Sequence, residues 1–107
     1  MGFRLEFRPQ VAADVRRAAA WYNNKEPGLG ARFRLAVERR IEELLKDPLL
    51  PRIRDQRRDV RWVFPEPFPY RIVYRVSGQT VLIIAVLHAA RHERRWKRRA
   101  GLANPAD

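Results

Sequence analysis

The sequence predicts an α+β domain in which a helical hairpin packs on one face of a mainly antiparallel four-stranded sheet, in the order β-α-α-β-β-β, with a basic C-terminal tail. Three patterns carry this expectation. Phe3–Arg8 and Tyr70–Val76 each alternate with the two-residue period of a strand. Between them, two longer stretches repeat apolar residues at the spacing of one helix face. Thr80–His88 is apolar on both faces, as befits a central strand covered on both sides.

Taken in order, Phe3, Leu5 and Phe7 form the apolar side of the first strand, against Arg4, Glu6 and Arg8. Pro9 suits the first position of a helix, where its missing N–H costs nothing. From there to about Asn24, Val11, Val15, Ala18, Ala19 and Tyr22 define one stripe, with Asn23 and Asn24 as stop residues. Pro27-Gly28-Leu29-Gly30 forms a short corner, so the next helix should return antiparallel. Its stripe is Leu29, Phe33, Ala36, Val37, Ile41, Leu44 and Leu45, and Asp47-Pro48 ends it. A loop over 48–59 holds Arg52, Arg54, Arg57 and Arg58 as candidate nucleic-acid contacts. A short strand over 60–64 precedes a turn marked by Pro65, Pro67 and Pro69. In the next strand Tyr70, Ile72, Tyr74 and Val76 face one way and Arg71, Val73 and Arg75 the other, and Ser77-Gly78-Gln79 closes a hairpin with the last strand. Arg91–Arg99 carries six basic residues in nine and can form a short helix. Residues 1–107 therefore read as one domain, with 97–107 expected to be partly disordered.

Charge narrows the partners. The chain has 23 Lys and Arg against 12 acidic residues, a net charge of +11. Such an excess repels itself in the folded state and implies an anionic partner: nucleic acid, an acidic protein, or both. There is no cysteine, which excludes disulfides and thiolate metal sites and fits a reducing cytoplasm. Arg4, Glu6, Arg8, Asp14, Arg16 and Arg17 interrupt any apolar leader, and the apolar run Val81–Leu87 is far too short for a bilayer. The expectation is a cytoplasmic protein with no membrane partner, cofactor or metal. His88 and His92 are spaced for a metal pair, but Glu93 is the one further ligand type nearby.

If Tyr70, Ile72, Tyr74 and Val76 pack under the helices, then Arg71, Val73 and Arg75 line the opposite sheet face. That face, mixing arginine with aliphatic side chains, reads as a binding surface left open for a partner, the alternatives being that the C-terminal tail folds back over it or that a second copy of the chain covers it. Arg91, Arg94, Arg95 and Trp96 join it as candidate contacts. Trp21 reads as core or rim and Trp62 as core, while Trp96 is either a base-stacking residue or a lid on the sheet.

The order strand, helical hairpin with Pro27-Gly28-Leu29-Gly30 and Phe33, the strand Pro69-Tyr70-Arg71-Ile72-Val73-Tyr74-Arg75-Val76, then Val86-Leu87-His88 running into Arg91 and Trp96 resembles the RelE/ParE superfamily of plasmid-stabilisation toxins. The resemblance implies the toxin half of a type II toxin–antitoxin system, a growth inhibitor held in check by an acidic antitoxin in a hetero-oligomer. It implies one of two targets. RelE-like members cut mRNA on the ribosome, and ParE-like members block DNA gyrase.

For RNA cleavage, the resemblance assigns roles to basic loop residues, to Arg71 on the third strand and to Arg91 after the last; apart from the resemblance, His88 or His92 could act as acid or base, since imidazole ordinarily titrates near neutrality. The family's lysines are replaced by Arg52, Arg54, Arg57 and Arg58, and Trp96 and Lys97 occupy the stretch where a tyrosine is usual. The long hairpin and its corner are closer to the ParE-like branch, so gyrase inhibition is the favoured reading and mRNA interferase the alternative. A non-toxic nucleic-acid-binding module is a third reading, resting on charge alone.

Overall fold

The computed structural model describes residues 2–102 and contains strand β1 (Arg4–Phe7), helices α1 (Val11–Lys25) and α2 (Leu29–Lys46), strands β2 (Arg61–Val63), β3 (Tyr70–Ser77) and β4 (Thr80–His88), and helix α3 (Glu93–Ala100). The order is the expected one. The four strands form one sheet, β1-β4-β3-β2, in which β3 pairs antiparallel with β2 and β4 while β1 pairs parallel with β4. Among the described residues, no helix is long and apolar enough to cross a membrane.

Local chemistry explains the element boundaries. The first helix starts at Val11 rather than Pro9, with Gln10 at the N-cap and the Val11 N–H donating to the Arg8 carbonyl. Asn23 and Asn24 lie inside α1 and do not end it. The Asn23 side chain instead turns to the neighbouring helix, where its Oδ1 accepts from the N–H groups of Gly28 (2.9 Å) and Gly30 (3.3 Å). It thus satisfies donors at the α2 N-terminus that the helix cannot pair itself. Gly28, at φ 90°, turns the corner in the left-handed region.

Gly30 is required for a different reason. A Cβ there would collide with the Ala19 carbonyl of α1, a backbone atom that cannot swing aside. Gly30→Ala is therefore expected to cost about 1–3 kcal/mol by overpacking, despite alanine's better helix propensity. A urea unfolding midpoint unchanged in this variant would show that the helices are not held at this spacing.

The core has two layers. On the hairpin side, Phe33, Val37, Ile41 and Leu44 of α2 pack on Ile72, Tyr74, Ile83 and Val86 of the sheet. Phe33 contacts the rings of Tyr22, Phe68 and Tyr70 at centroid distances of 5.0–5.4 Å. The buried Tyr74 hydroxyl donates to the Pro48 carbonyl at 2.8 Å, tying the loop after α2 to the sheet. The second layer lies on the other sheet face, where Trp96 and Ala100 of α3 cover Val60, Val73, Ile84, Ala85 and Leu87.

This second layer corrects the expectation of an open sheet face. Val73 is fully buried and Trp96 is 2% exposed, so the chain's own C-terminal helix occupies the place foreseen for a partner. A bulge helps to build the layer. Val73 pairs with Ala85 and Tyr74 with Ile83, which leaves Ile84 as an extra residue in β4 and places both Ile84 and Ala85 under α3. Residues 97–100, read from sequence as the start of a disordered tail, complete α3, and 103–107 lie outside the described residues. Phe7, expected on the core face, is 51% exposed at the last position of β1.

Candidate functional site

Two cationic regions emerge, on opposite sides of the sheet. The first follows from β3. Its alternation sends Arg71 and Arg75 to the α3 side, and the neighbouring β2 sends Trp62 to the same side by the register pair Trp62–Val73. The Arg71 guanidinium stacks 4.2 Å from the Trp62 ring centroid, and Arg54 from the preceding loop lies 5.2 Å from the same centroid. Trp96 meets Trp62 edge-on at 5.4 Å. Glu93, at the start of α3, closes over Arg71 at 3.8 Å. Arg71 Nε and Trp96 Nε1 are buried without a hydrogen-bond partner.

This cluster offers charge and stacking. Neither arginine nor indole takes up a proton at neutral pH. Burial first, then the charges of Arg52 and Arg71, push the Arg54 guanidinium below its ordinary value. The cations are thus crowded against one another, which an anionic partner would relieve.

Other predicted residues prove to be structural ties. Arg75 donates to the carbonyls of Arg58 and Ala100, the latter at 2.8 Å, and so holds the end of α3. Arg58 pairs with Asp55 at 3.0 Å and reaches the Lys97 carbonyl. Burial raises the Asp55 pKa, but hydrogen bonds and charge from Arg58, with Lys97 adding to them, outweigh it and hold the carboxyl below its ordinary value. Arg52 and Arg57 are exposed on the loop, and Arg94 and Arg95 on α3.

The second region lies where β4 ends. Tyr70 pairs with His88 and their rings meet edge-on at 5.4 Å, whereas Arg71 pairs with Leu87. His88 therefore belongs to the hairpin side and Arg71 to the α3 side, and the structure does not assemble Arg71, Arg91 and His88 into one catalytic set. His88 and Arg91 instead line a cleft with Trp21, His92 and Arg95. Trp21, left between core and rim by the sequence, is 48% exposed. No group of three metal-ligating side chains occurs among the described residues.

Burial and the charge of Arg91 lower the His88 pKa; burial, then Arg95, Arg91 and His88, lower that of His92. Both imidazoles are neutral in the folded protein over a range where an unfolded chain begins to protonate them. Their contribution to stability is complete above their ordinary pKa of 6.5 and is lost as pH falls below it. The urea midpoint should therefore drop between pH 7.5 and pH 5, and less steeply when both histidines are replaced by glutamine. An unchanged slope in that variant would assign the acid sensitivity to other groups.

Sequence reasoning missed Asp14. It is 3% exposed on the inner face of α1 and accepts from the Val86 N–H at 3.0 Å, from both terminal nitrogens of Arg99 at 2.5 and 2.9 Å, and from Arg17 at 3.2 Å. A signal existed, because Asp14 stands within the stripe of Val11, Val15 and Ala18 where an apolar residue is expected.

Comparison with known proteins agrees with this architecture. The chain is similar to the chromosomal ParDE toxin–antitoxin system of P. aeruginosa, with a TM-score of 0.70 at 18% identity over 80% of this chain and 95% of that one. It is also similar to the free E. coli toxin RelE carrying two arginine-to-alanine substitutions, with a TM-score of 0.66 at 21% identity over 94% of this chain and 95% of that one. No curated protein sequence matches it. The family described as the ParE toxin of the type II toxin-antitoxin system, parDE, matches residues 5–93. The chain belongs to the ParE toxin family of type II toxin–antitoxin systems.

Proposed function

We propose that this protein inhibits growth by binding DNA gyrase in the cytoplasm and that an acidic antitoxin encoded beside it neutralises it. Membership of the ParE family over residues 5–93 carries this reading. The placement of Arg71 and His88 on opposite sheet faces supports it, because a target bound by surface complementarity needs no acid–base pair. The similar P. aeruginosa system contains both a toxin and its antitoxin, and the charge of +11 calls for a partner of opposite sign.

In this reading the antitoxin first meets the exposed cations of α3, Arg94, Arg95 and Arg98, with Arg91 beside them. Residues beneath the helix, such as Val73 and Trp96, become available to it only if α3 lifts. A second reading, RelE-like mRNA cleavage, draws on the Arg54–Trp62–Arg71 stack, whose cation and ring faces suit a nucleotide.

Inducible expression tests the first step. Growth should stop when this chain is expressed alone and resume when the proposed acidic antitoxin, sought as an open reading frame beside its gene, is co-expressed. Unhindered growth would refute both readings. Arg71→Ala should leave growth arrest largely intact under gyrase binding and abolish it under RNA cleavage.

A further inference from the structure

The cleft at the end of β4 shares Arg91 and Arg95 with the proposed antitoxin contact, but its histidines and its indole serve neither the fold nor the toxin reading. It encloses about 280 Å³ between α1 and the corner joining β4 to α3. Ala18, Val86 and Leu87 contribute apolar wall. Trp21 offers a half-exposed indole, and Arg17, Arg91 and Arg95 bring three guanidinium groups. The carboxylate among the lining residues, Asp14, is already saturated by Arg99, Arg17 and the Val86 N–H. Arg91 and Arg95 form no ion pair among the described residues. Two imidazoles share this cationic space, and burial first, then the neighbouring guanidinium charges, lower their pKa values. The His88 Nδ1 accepts from the Ala90 N–H at 3.1 Å, so its own proton sits on Nε2 and is free to be donated.

A concave site with unpaired guanidinium groups, an imidazole N–H donor and a half-exposed indole, over whose ring the Lys25 ammonium lies at 4.8 Å, matches a particular ligand chemistry, an anionic phosphate joined to a flat ring. We propose that this cleft binds a nucleotide, its phosphate held by Arg91, Arg95 and the His88 Nε2–H and its base stacked on Trp21. The nucleotide is either a free mononucleotide or the phosphorylated end of a strand, since both present the same groups. An acidic peptide would satisfy the arginines but leave the indole without a stacking partner, which makes it the weaker candidate.

The test uses the full chain at 150 mM salt, to suppress binding by net charge alone. Adenosine 5′-monophosphate, a 5′-phosphorylated single-stranded decanucleotide, the same decanucleotide without its phosphate, inorganic phosphate and a hexaglutamate peptide are titrated separately. The readouts are indole fluorescence and the C2–H resonances of His88 and His92. The expected result is saturable binding of the monophosphate, the phosphorylated strand, or both, with an upward shift of the His88 pKa and at least ten-fold weaker binding in R91A/R95A. R39A/R40A, which removes equal charge from α2 outside the cleft, should bind as the parent does. Trp21→Leu should lose the preference for nucleotide over inorganic phosphate. Binding of the monophosphate alone identifies a free nucleotide as the ligand; binding of the phosphorylated strand alone identifies a strand end. Equal weakening in both double variants, tighter binding of hexaglutamate, or strand binding indifferent to the 5′-phosphate would each overturn the proposal. Such a failure leaves the toxin reading untouched, since growth arrest and gyrase inhibition are read independently.

Discussion

Asp14→Ala is expected to cost about 3–5 kcal/mol of folding stability, a large share of what a domain of this size possesses. The carboxylate is enclosed, and Arg99, whose side chain is 10% exposed, spans from α3 to reach it. Removing Asp14 leaves a guanidinium in a dry site with no counter-charge and strands the Val86 N–H on the stretch of β4 that extends past its pairing with β1. The penalty comes chiefly from what is left behind rather than from the strength of the pair itself. Replacing both partners with apolar residues, as in D14L/R99M, should therefore recover much of the loss, with a residue of about 1–3 kcal/mol for the unpaired Val86 N–H. Urea unfolding of the two variants decides this. A loss below about 1 kcal/mol in the single variant would mean that water reaches the pair.

Trp96→Ala acts on a narrower unit. Truncating a buried tryptophan costs about 3–5 kcal/mol when the structure cannot collapse into the space. Here the space lies under a single eight-residue helix, held by Ala100, the Asp14–Arg99 pair and the carbonyl contacts of Arg58 and Arg75. The helix is expected to detach before the sheet gives way, so that the measured loss saturates at the free energy of docking. Hydrogen exchange should show α3 amides losing protection while those of β3 and β4 keep it, and the uncovered Val73, Ile84 and Leu87 should bind a hydrophobic dye. Unchanged protection in α3 would contradict the packing described for the second layer.

These variants mark where sequence reading succeeds and where it stops. The β3 alternation was legible because its two faces differ in chemistry, with Ile72 and Tyr74 against Arg71 and Arg75, and the structure sorts them as the pattern requires. The hairpin was equally plain from the stripes of α1 and α2. The second core layer was legible only in the reading of Trp96 as a lid on the sheet, which the structure bears out, and composition hid the rest of it. In Glu93–Ala100 six of eight residues are charged, so Trp96 and Ala100, one turn apart on the inner face, are a sparse apolar signal. The anchor for that helix lies 85 residues away in α1, beyond the reach of any local pattern. Arg75 misled for a related reason. An arginine on a strand looks like an open cationic surface, whereas this one spends its donors on the carbonyls of Arg58 and Ala100. The split of Arg71 from His88 was not legible, because the register set at the Ser77–Thr80 turn would place both on one face, and only the extra Ile84 in β4 sends them to opposite faces.

The target is tested most directly by DNA supercoiling with purified gyrase, titrated with this chain, alongside ribosomes programmed with mRNA. Gyrase binding requires dose-dependent loss of supercoiling that the proposed acidic antitoxin reverses, with the mRNA left intact. Full supercoiling at saturating protein together with cleavage of the mRNA in the ribosome would contradict it.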